Sequence, residues 1–597
     1  MMRGRVAGGV ICLSGFLAGA SLVCGAEVSP GGEPSVPYEA RLRGVGPGEL
    51  KNAVRAQSQV FSLVAYPPAT LRQLQKRAED DLPAMTAALR ASGHLAAAIE
   101  LRIDTNRTPV RVSFRIDQGP RYALESFRVV YSPEECGAPP VPARLGWRKG
   151  GAASVERVEA AEAAALRFLQ ERGYPHPQIL ERTVVRDDAA RQVAVVCTVA
   201  PGAPATLGAA EFQGLVRLRP AYVRNRVEWA PGERYGIDKL EDLEKELLHS
   251  GLFSAARVAV ADESDAAGNL PVRIELAERP RRTIRAGVSY YTDEGFGGQT
   301  SWESRNLFGN AEALALTLTA SEILYEAKAG LKRPDLFSRN LDLHLEVGVS
   351  DEHPDAFRSQ ELRSALWLEK RLVEKLTLKG GVAYELDRVE QQDDETDFGL
   401  LSLPVSVDWD LRDNPLDPSR GVALYLATAP YRDLKGDADF FKSYAEASAF
   451  LPVLRGPRLV LATRAGIGTI SGEDTVDVPA DKRFYAGGGG TIRGYKYQTV
   501  GELVDGEPVG GNSLATVSAE LRLQATRTIG LAVFIDGGTT YPDSHPDPDI
   551  PFLWGAGGGV RYYLGSAPLR LDIAFPLDRR EDVDEPFQVY ISLGQSF

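Results

Sequence analysis

The segment RFYAGGGGTIRGYKYQTVG, residues 483–501, sets Gly487 to Gly490 just ahead of Arg493. Glycine accepts positive φ and close backbone approach at an entropic cost. Such a run therefore suits a phosphate cradle, a floppy surface loop, or a turn folded tightly enough to deliver one guanidinium to a fixed place. A phosphate-binding loop needs a strand, the glycines, Lys followed by Ser or Thr, and a helix. GGGGTIRGY has no such lysine and runs on into loop and strand, which argues against nucleotide binding. Other catalytic sets are weak. The histidines at 94, 176, 249, 344, 353 and 545 form no HExxH or paired-ligand spacing. Ser513 in GNSLA half matches a nucleophile elbow but precedes a strand instead of a helix. No catalytic residue, metal set or cofactor is expected.

The chain has 597 residues, beyond any single core, so several folding units are expected. A net charge of −13 without a basic stripe excludes nucleic acid as a partner. Arg3 and Arg5 precede an apolar stretch from Val6 to Val23, with Gly25 and Ala26 behind it, the layout of a secretory signal over residues 1–26. Val23 stands where lipidation at Cys24 would want a small residue. Cys136 and Cys197 then remain as an even pair in an oxidising compartment. A disulfide between them and two buried free thiols are both open. Beyond the signal no apolar run is long enough for a membrane helix, so a membrane form of this chain must be a closed barrel.

Two rhythms divide the rest. Residues 37–280 repeat a pattern of helix, Gly, strand, strand: ALRASGHL, FLQERGYP and LLHSGLF place Gly93, Gly173 and Gly251 about eighty residues apart, as helix C-caps. Each is followed by an alternating strand, VRVSFRIDQGP, QVAVVCTVAPG or LPVRIELAERP. The three units are assigned to residues 37–118, 119–202 and 203–280. From 281 to 597 the period becomes two. VSVDWDLRD alternates Val405, Val407 and Trp409 against Ser406, Asp408 and Asp410, and LRLDIAFPL alternates Leu569, Leu571, Ile573 and Phe575 against Arg570, Asp572 and Ala574. The apolar face is either a sandwich core or the lipid face of a barrel, and the length suits about sixteen tilted strands. Tyr290, Tyr291, Trp302, Tyr562 and Tyr563 fit interfacial girdles.

RFYAGGGGTIRGYKY resembles the sixth extracellular loop of the BamA/TamA superfamily of outer-membrane assembly proteins, whose tetrapeptide is matched by Ile492, Arg493, Gly494 and Tyr495. FIDGG, with Phe534, Asp536 and Gly538, is similar to a second family motif, and Glu520 in VSAELRL to a third; DLRDNPLDPSRG and the aromatic-ended last strand also match. The resemblance implies α+β POTRA repeats followed by an all-β transmembrane barrel of about sixteen antiparallel strands in the outer membrane, with the repeats in the periplasm. Three repeats are the TamA arrangement. It further implies a TamB-type inner-membrane-anchored partner, unfolded outer-membrane protein clients and contact with outer-membrane lipids. The activity would be non-enzymatic protein insertion or export, with a general insertase or a lipid channel as alternatives.

The residues agree with this in physical terms. With Leu531, Val533 and Ile535 toward lipid, Phe534, Asp536 and Gly538 face the lumen, and Glu520 does so on the strand before. Arg493 inserted between the two acids would find charge-assisted, bidentate partners, and Gly487 and Gly488 would let the loop fold back to bring it there. On the closing strand Tyr590, Gly594 and Phe597 are the expected assembly signal, and Gly594 would weaken pairing at the seam.

Overall fold

A computed structural model describes residues 35–597 except 47, 134–136, 142–146, 292–294, 393, 456–457, 565–566, 594 and 596–597. The signal segment, Cys136, Gly594 and Phe597 therefore lie outside the described residues. The chain divides into two compact units.

The first unit carries three small mixed sheets, each with the same order. In the first, strand Val110–Asp117 lies in the centre, parallel to Tyr38–Arg43 and antiparallel to Ala98–Asp104. The second repeats this with Gln192–Ala200 between Ala123–Tyr131 and Gln178–Asp187, the third with Leu270–Glu278 between Leu207–Gln213 and Phe253–Val260. Every repeat thus opens on a strand that the pattern of helix, Gly, strand, strand omits. YEARLR and LGAAEFQ are short and half exposed, so their alternation is too weak to stand out. The helices Leu71–Ala91, Val155–Gln170 and Ile237–His249 bury one stripe each. In the first repeat Leu74, Ala78, Met85 and Leu89 pack with Val112, Phe114 and Ile116. Gly93, Gly173 and Gly251 follow the three helices at φ +90°, +95° and +72°, conformations that favour glycine.

The second unit is a closed antiparallel barrel running from Arg282–Tyr291 to Gln588–Leu593. Asp394–Ser402 and Val405–Asp410 both pair with the strands on either side, so they are one stave interrupted at Leu403–Pro404. Proline cannot donate to the ladder, which accounts for the break. With that stave taken as one, sixteen strands close the barrel among the described residues. Alternation sets the two faces: in Ile529–Tyr541, Leu531, Val533 and Ile535 are exposed while Phe534 and Asp536 are buried. An apolar band of this extent on the outer wall needs lipid around it. Since neighbouring residues face opposite sides, Tyr562 is exposed on the outer wall, whereas Tyr563 packs inward against Gly530 and is not a girdle residue.

Among the described residues, the first barrel strand pairs at more positions on one edge than on the other. It pairs with the second strand at ten positions, from Arg282↔Ser304 to Tyr291↔Gly295. At the closing seam, the pairs among the described residues are Tyr290↔Ile591 and Tyr291↔Tyr590.

Candidate functional site: a guanidinium held by the inner wall

Between strands Arg458–Ser471 and Ser513–Gln524 the chain makes a long excursion, residues 472–512, that folds into the lumen. Its turn is specified by hydrogen bonds. Gly487 N donates to Thr491 Oγ1 and Thr491 Oγ1 donates to Gly487 O, each at 2.9 Å, and Gly488 N donates to Tyr495 O at 3.2 Å. Gly487 and Gly488 take φ of +108° and +88°. Ile492 and Tyr495 are fully buried with Phe484, Val478 and Leu514. From the wall, Arg464 Nη2 donates to Gly490 O at 2.9 Å. The glycine run is a defined turn.

Arg493 is the result. Its Nε and Nη2 donate to the two oxygens of Asp536 at 2.6 and 2.9 Å, a bidentate pair, and its own backbone N reaches Asp536 Oδ2 at 3.2 Å. Nη1 donates to Glu520 Oε2 at 2.8 Å and to Asp572 Oδ2 at 3.3 Å. The guanidinium carbon stands over the Phe534 ring, 3.4 Å from its centroid. Arg493 keeps 2% of its exposure and Glu520 and Asp536 none, so each charge depends on its partners.

The expected triad is the centre of a larger network. Arg522 Nε and Arg561 Nη2 donate to Glu520 Oε1 at 2.9 and 3.1 Å. Arg561 Nη1 also donates to Asp572 Oδ1, and Arg570 Nε stands 3.6 Å from Asp572 Oδ2. Four guanidiniums thus share three carboxylates. Arg561 Nε donates to Gln595 Oε1 at 3.1 Å, and Gln595 Nε2 to Asp417 in the DLRDNPLDPSRG turn at 2.9 Å. The polar alternation of LRLDIAFPL marks Asp572 as lumen-facing, and pairing through the glycine-rich strand Leu553–Leu564 brings it to Arg493.

Room for this comes from a bare strip on strand Leu553–Leu564. A Cβ on Gly555 would stand 1.9 Å from Arg493 O, one on Gly557 2.6 Å from the Phe534 ring, and one on Gly559 1.9 Å from Asp572 Oδ1. The run GAGGG carries that signal in the sequence. Gly494, at φ +107°, presses against the backbone of Phe575, where a Cβ would approach within 2.8 Å. Gly538 sits inward on strand Ile529–Tyr541, where a Cβ would meet Ala515 O at 2.4 Å. Tyr590 points inward, and its Oη accepts from Gly494 N at 3.0 Å. Tyr495 Oη donates to Trp554 O at 2.9 Å.

Of the cysteine pair, Cys197 is a buried thiol whose Sγ donates to Glu162 Oε1 at 3.4 Å. Burial and then the Glu162 charge push it up to about 12. Outside the barrel wall, Glu278 Oε1 accepts from the backbone N of Val216, Arg217 and Leu218 at 2.9 to 3.0 Å. Burial raises its pKa, the three amides lower it more, and the net is a carboxyl below its usual range.

The architecture defined by these observations is that of an outer-membrane β-barrel preceded by POTRA-type modules, with an arginine from an inturned loop fixed to its inner wall. Residues 306–597 match the Omp85 superfamily domain. The outer membrane protein assembly factor BamA of Nitratidesulfovibrio vulgaris is 23% identical over 549 residues, covering 87% of this chain and 68% of that protein. BamA of Neisseria meningitidis serogroup B is 21% identical over 496 residues, covering 71% of this chain and 60% of its own length. Among solved structures, BamA from Haemophilus ducreyi lacking POTRA domains 1–3 aligns with a TM-score of 0.64 at 15% identity, covering 79% of this chain and all of that one. Residues 306–597 thus carry the Omp85 superfamily domain, the barrel lying in the outer membrane and the POTRA modules in the periplasm.

Proposed function

We propose that this protein is a non-enzymatic outer-membrane assembly and translocation factor that helps insert or export proteins through a seam that opens sideways. The observation that carries the reading is the contrast at the closing junction. Two described residue pairs hold Arg282–Tyr291 to Gln588–Leu593, against ten on the first strand's other side. Wherever a ladder is short, donors and acceptors on both edges are left for an incoming strand to satisfy. The Arg493 network keeps the C-terminal wall in order while the seam exchanges partners. The BamA relatives favour outer-membrane barrel proteins as clients. The three POTRA modules favour a TamA-type role beside a TamB-type periplasmic protein, with outer-membrane lipids around the seam.

The test uses the full chain in lipid vesicles with Tyr290→Cys and Ile591→Cys, residues directly opposed across the seam. Opposed antiparallel Cα atoms lie about 4.5 to 5.5 Å apart, within disulfide reach. Insertion of an unfolded outer-membrane barrel, followed by protease protection, is expected to stop on oxidation and return on reduction. Equal insertion by oxidised and reduced protein refutes the sideways route. Co-purification of a long periplasmic partner with the tagged full chain from native envelopes distinguishes the TamA-type role from that of a general insertase.

A further inference from the structure

The inturned loop has a second fastening that none of the motifs predicts. Eleven positions before Arg493, Lys482 is buried at 9% side-chain exposure. Its Nζ is 3.0 Å from Glu361 on strand Arg358–Val373, and 2.9 and 3.1 Å from Glu385 and Asp387 on strand Leu376–Gln391. Asp481 of the loop adds a fourth carboxylate at 2.8 Å, and Arg363 balances Glu385 at 3.0 Å. The next residue extends the hold: Arg483 Nη1 donates to Gln391 Oε1 and Val509 O, both at 2.9 Å, and Nε to Val478 O at 2.9 Å. Lys442, from strand Asp439–Arg455, donates to the Lys482 carbonyl and lies over the Phe484 ring at 4.6 Å.

The wall carboxylates that hold Lys482, and the Gln391 that holds Arg483, stand on strands from the first half of the barrel. Those of Arg493 stand on Ser513–Gln524, Ile529–Tyr541 and Ala567–Pro576, with Tyr590 on the closing strand. The stretch from Lys482 to Arg493 therefore crosses the lumen with a buried cation at each end. We infer that residues 472–512 are a tie between opposite walls, with Lys482 as the positioning residue of its far end, and that this tie holds the closing seam shut. Splaying the seam carries the strands behind it away from the opposite wall. A strap fixed at both ends resists that movement; one fixed only at Arg493 travels with the C-terminal wall. Releasing Lys482 alone leaves Arg493, Asp536 and Glu520 intact, so the two ends are separable.

The inference rests on the seam being where the barrel opens, and its test needs no client. The full chain carrying Tyr290→Cys and Ile591→Cys is placed in phosphatidylcholine vesicles and the rate of seam disulfide formation is measured under mild oxidation. Lys482→Gln is expected to slow it about tenfold through a shift of the closed population, and Lys482→Arg to stay within about twofold of the parent. Four acids without their cation could also unfold the barrel, which heat-modifiable mobility in SDS gels reports. A second variant therefore combines Lys482→Gln with Glu361→Gln, Asp387→Asn and Asp481→Asn, removing the tie and the charges it strands while Glu385 keeps Arg363; it too is expected to close slowly. Parental rates in this neutral variant overturn the inference, as does equal slowing by Lys482→Arg. If the seam closes as expected here yet oxidised protein still inserts clients, the functional reading fails and the tie stands.

Discussion

Removing the Arg493 side chain tests the inner-wall network most directly. Asp536 takes every one of its described side-chain contacts from Arg493: the bidentate pair and the backbone N. Glu520 and Asp572 keep Arg522, Arg561 and Arg570. Arg493→Ala therefore strands one fully buried carboxylate and leaves two with partners. Stranding one member of a buried pair costs about 3–5 kcal/mol. Asp536→Asn keeps the shape and an acceptor oxygen but leaves a guanidinium that Glu520 and Asp572 still hold, so about 1–3 kcal/mol is expected. In the double variant neither charge is stranded, so its cost falls short of the sum by about 2 kcal/mol or more. Urea unfolding of the full chain in detergent micelles, read by tryptophan fluorescence and heat-modifiable mobility, supplies all four corners of the cycle. Additivity within about 0.5 kcal/mol would mean that the two side chains do not act on one another, and the case for a captured guanidinium would fall. Arg493→Lys is expected to recover only part of the loss, because an ammonium cannot span Asp536 bidentately and reach Glu520 as well.

Gly555→Ala puts a methyl 1.9 Å from Arg493 O, so it should unseat the loop with every charge still present. Stability near that of Arg493→Ala is expected, and parental stability would contradict the fit. Phe534→Leu removes the ring under the guanidinium and should cost about 1–2 kcal/mol more than its lost area, measured in the same unfolding assay. With all other cysteines replaced by serine, Cys197 in native protein at pH 8 should be unreactive to iodoacetamide. A thiol pushed up to about 12 holds about one part in ten thousand as thiolate; rapid native labelling would refute its burial. For Glu278 the folded pKa is depressed, so its contribution is fully present above the unfolded value of about 4.3 and is lost as pH falls through the folded value. The gap in melting temperature between parent and Glu278→Gln should be flat above pH ~5 and close below pH ~4; a gap independent of pH would count against the amide cradle.

Local periodicity made the barrel and the ends of the repeats legible. Strict alternation put Asp536 and Glu520 on one side and Val533 and Ile535 on the other, and Gly93, Gly173 and Gly251 marked where helices stop. What stayed hidden depends on neighbours far apart in the chain. Asp572 and Arg561 look like any lumen charges until pairing sets four strands side by side and the inturned loop brings Arg493 to them. Lys482 sits in a stretch, PADKRF, that reads as an ordinary polar loop, because its wall acids Glu361, Glu385 and Asp387 lie about a hundred residues upstream. The opening strands of the first and third POTRA modules are short and half exposed, and all three opening strands are defined by parallel pairing that no local pattern encodes. Tyr590 stands out in the sequence for its place near the chain end, but its hydroxyl serves the loop.

The reach of the inner-wall network gives it one more property. Arg493 touches Asp572, Gly494 N donates to Tyr590, and Arg561 reaches Gln595, so the loop's surroundings draw on the strands that close the wall. A barrel whose last two strands have not yet joined the sheet cannot complete those surroundings, so the contacts that fasten the loop also register that the wall is whole.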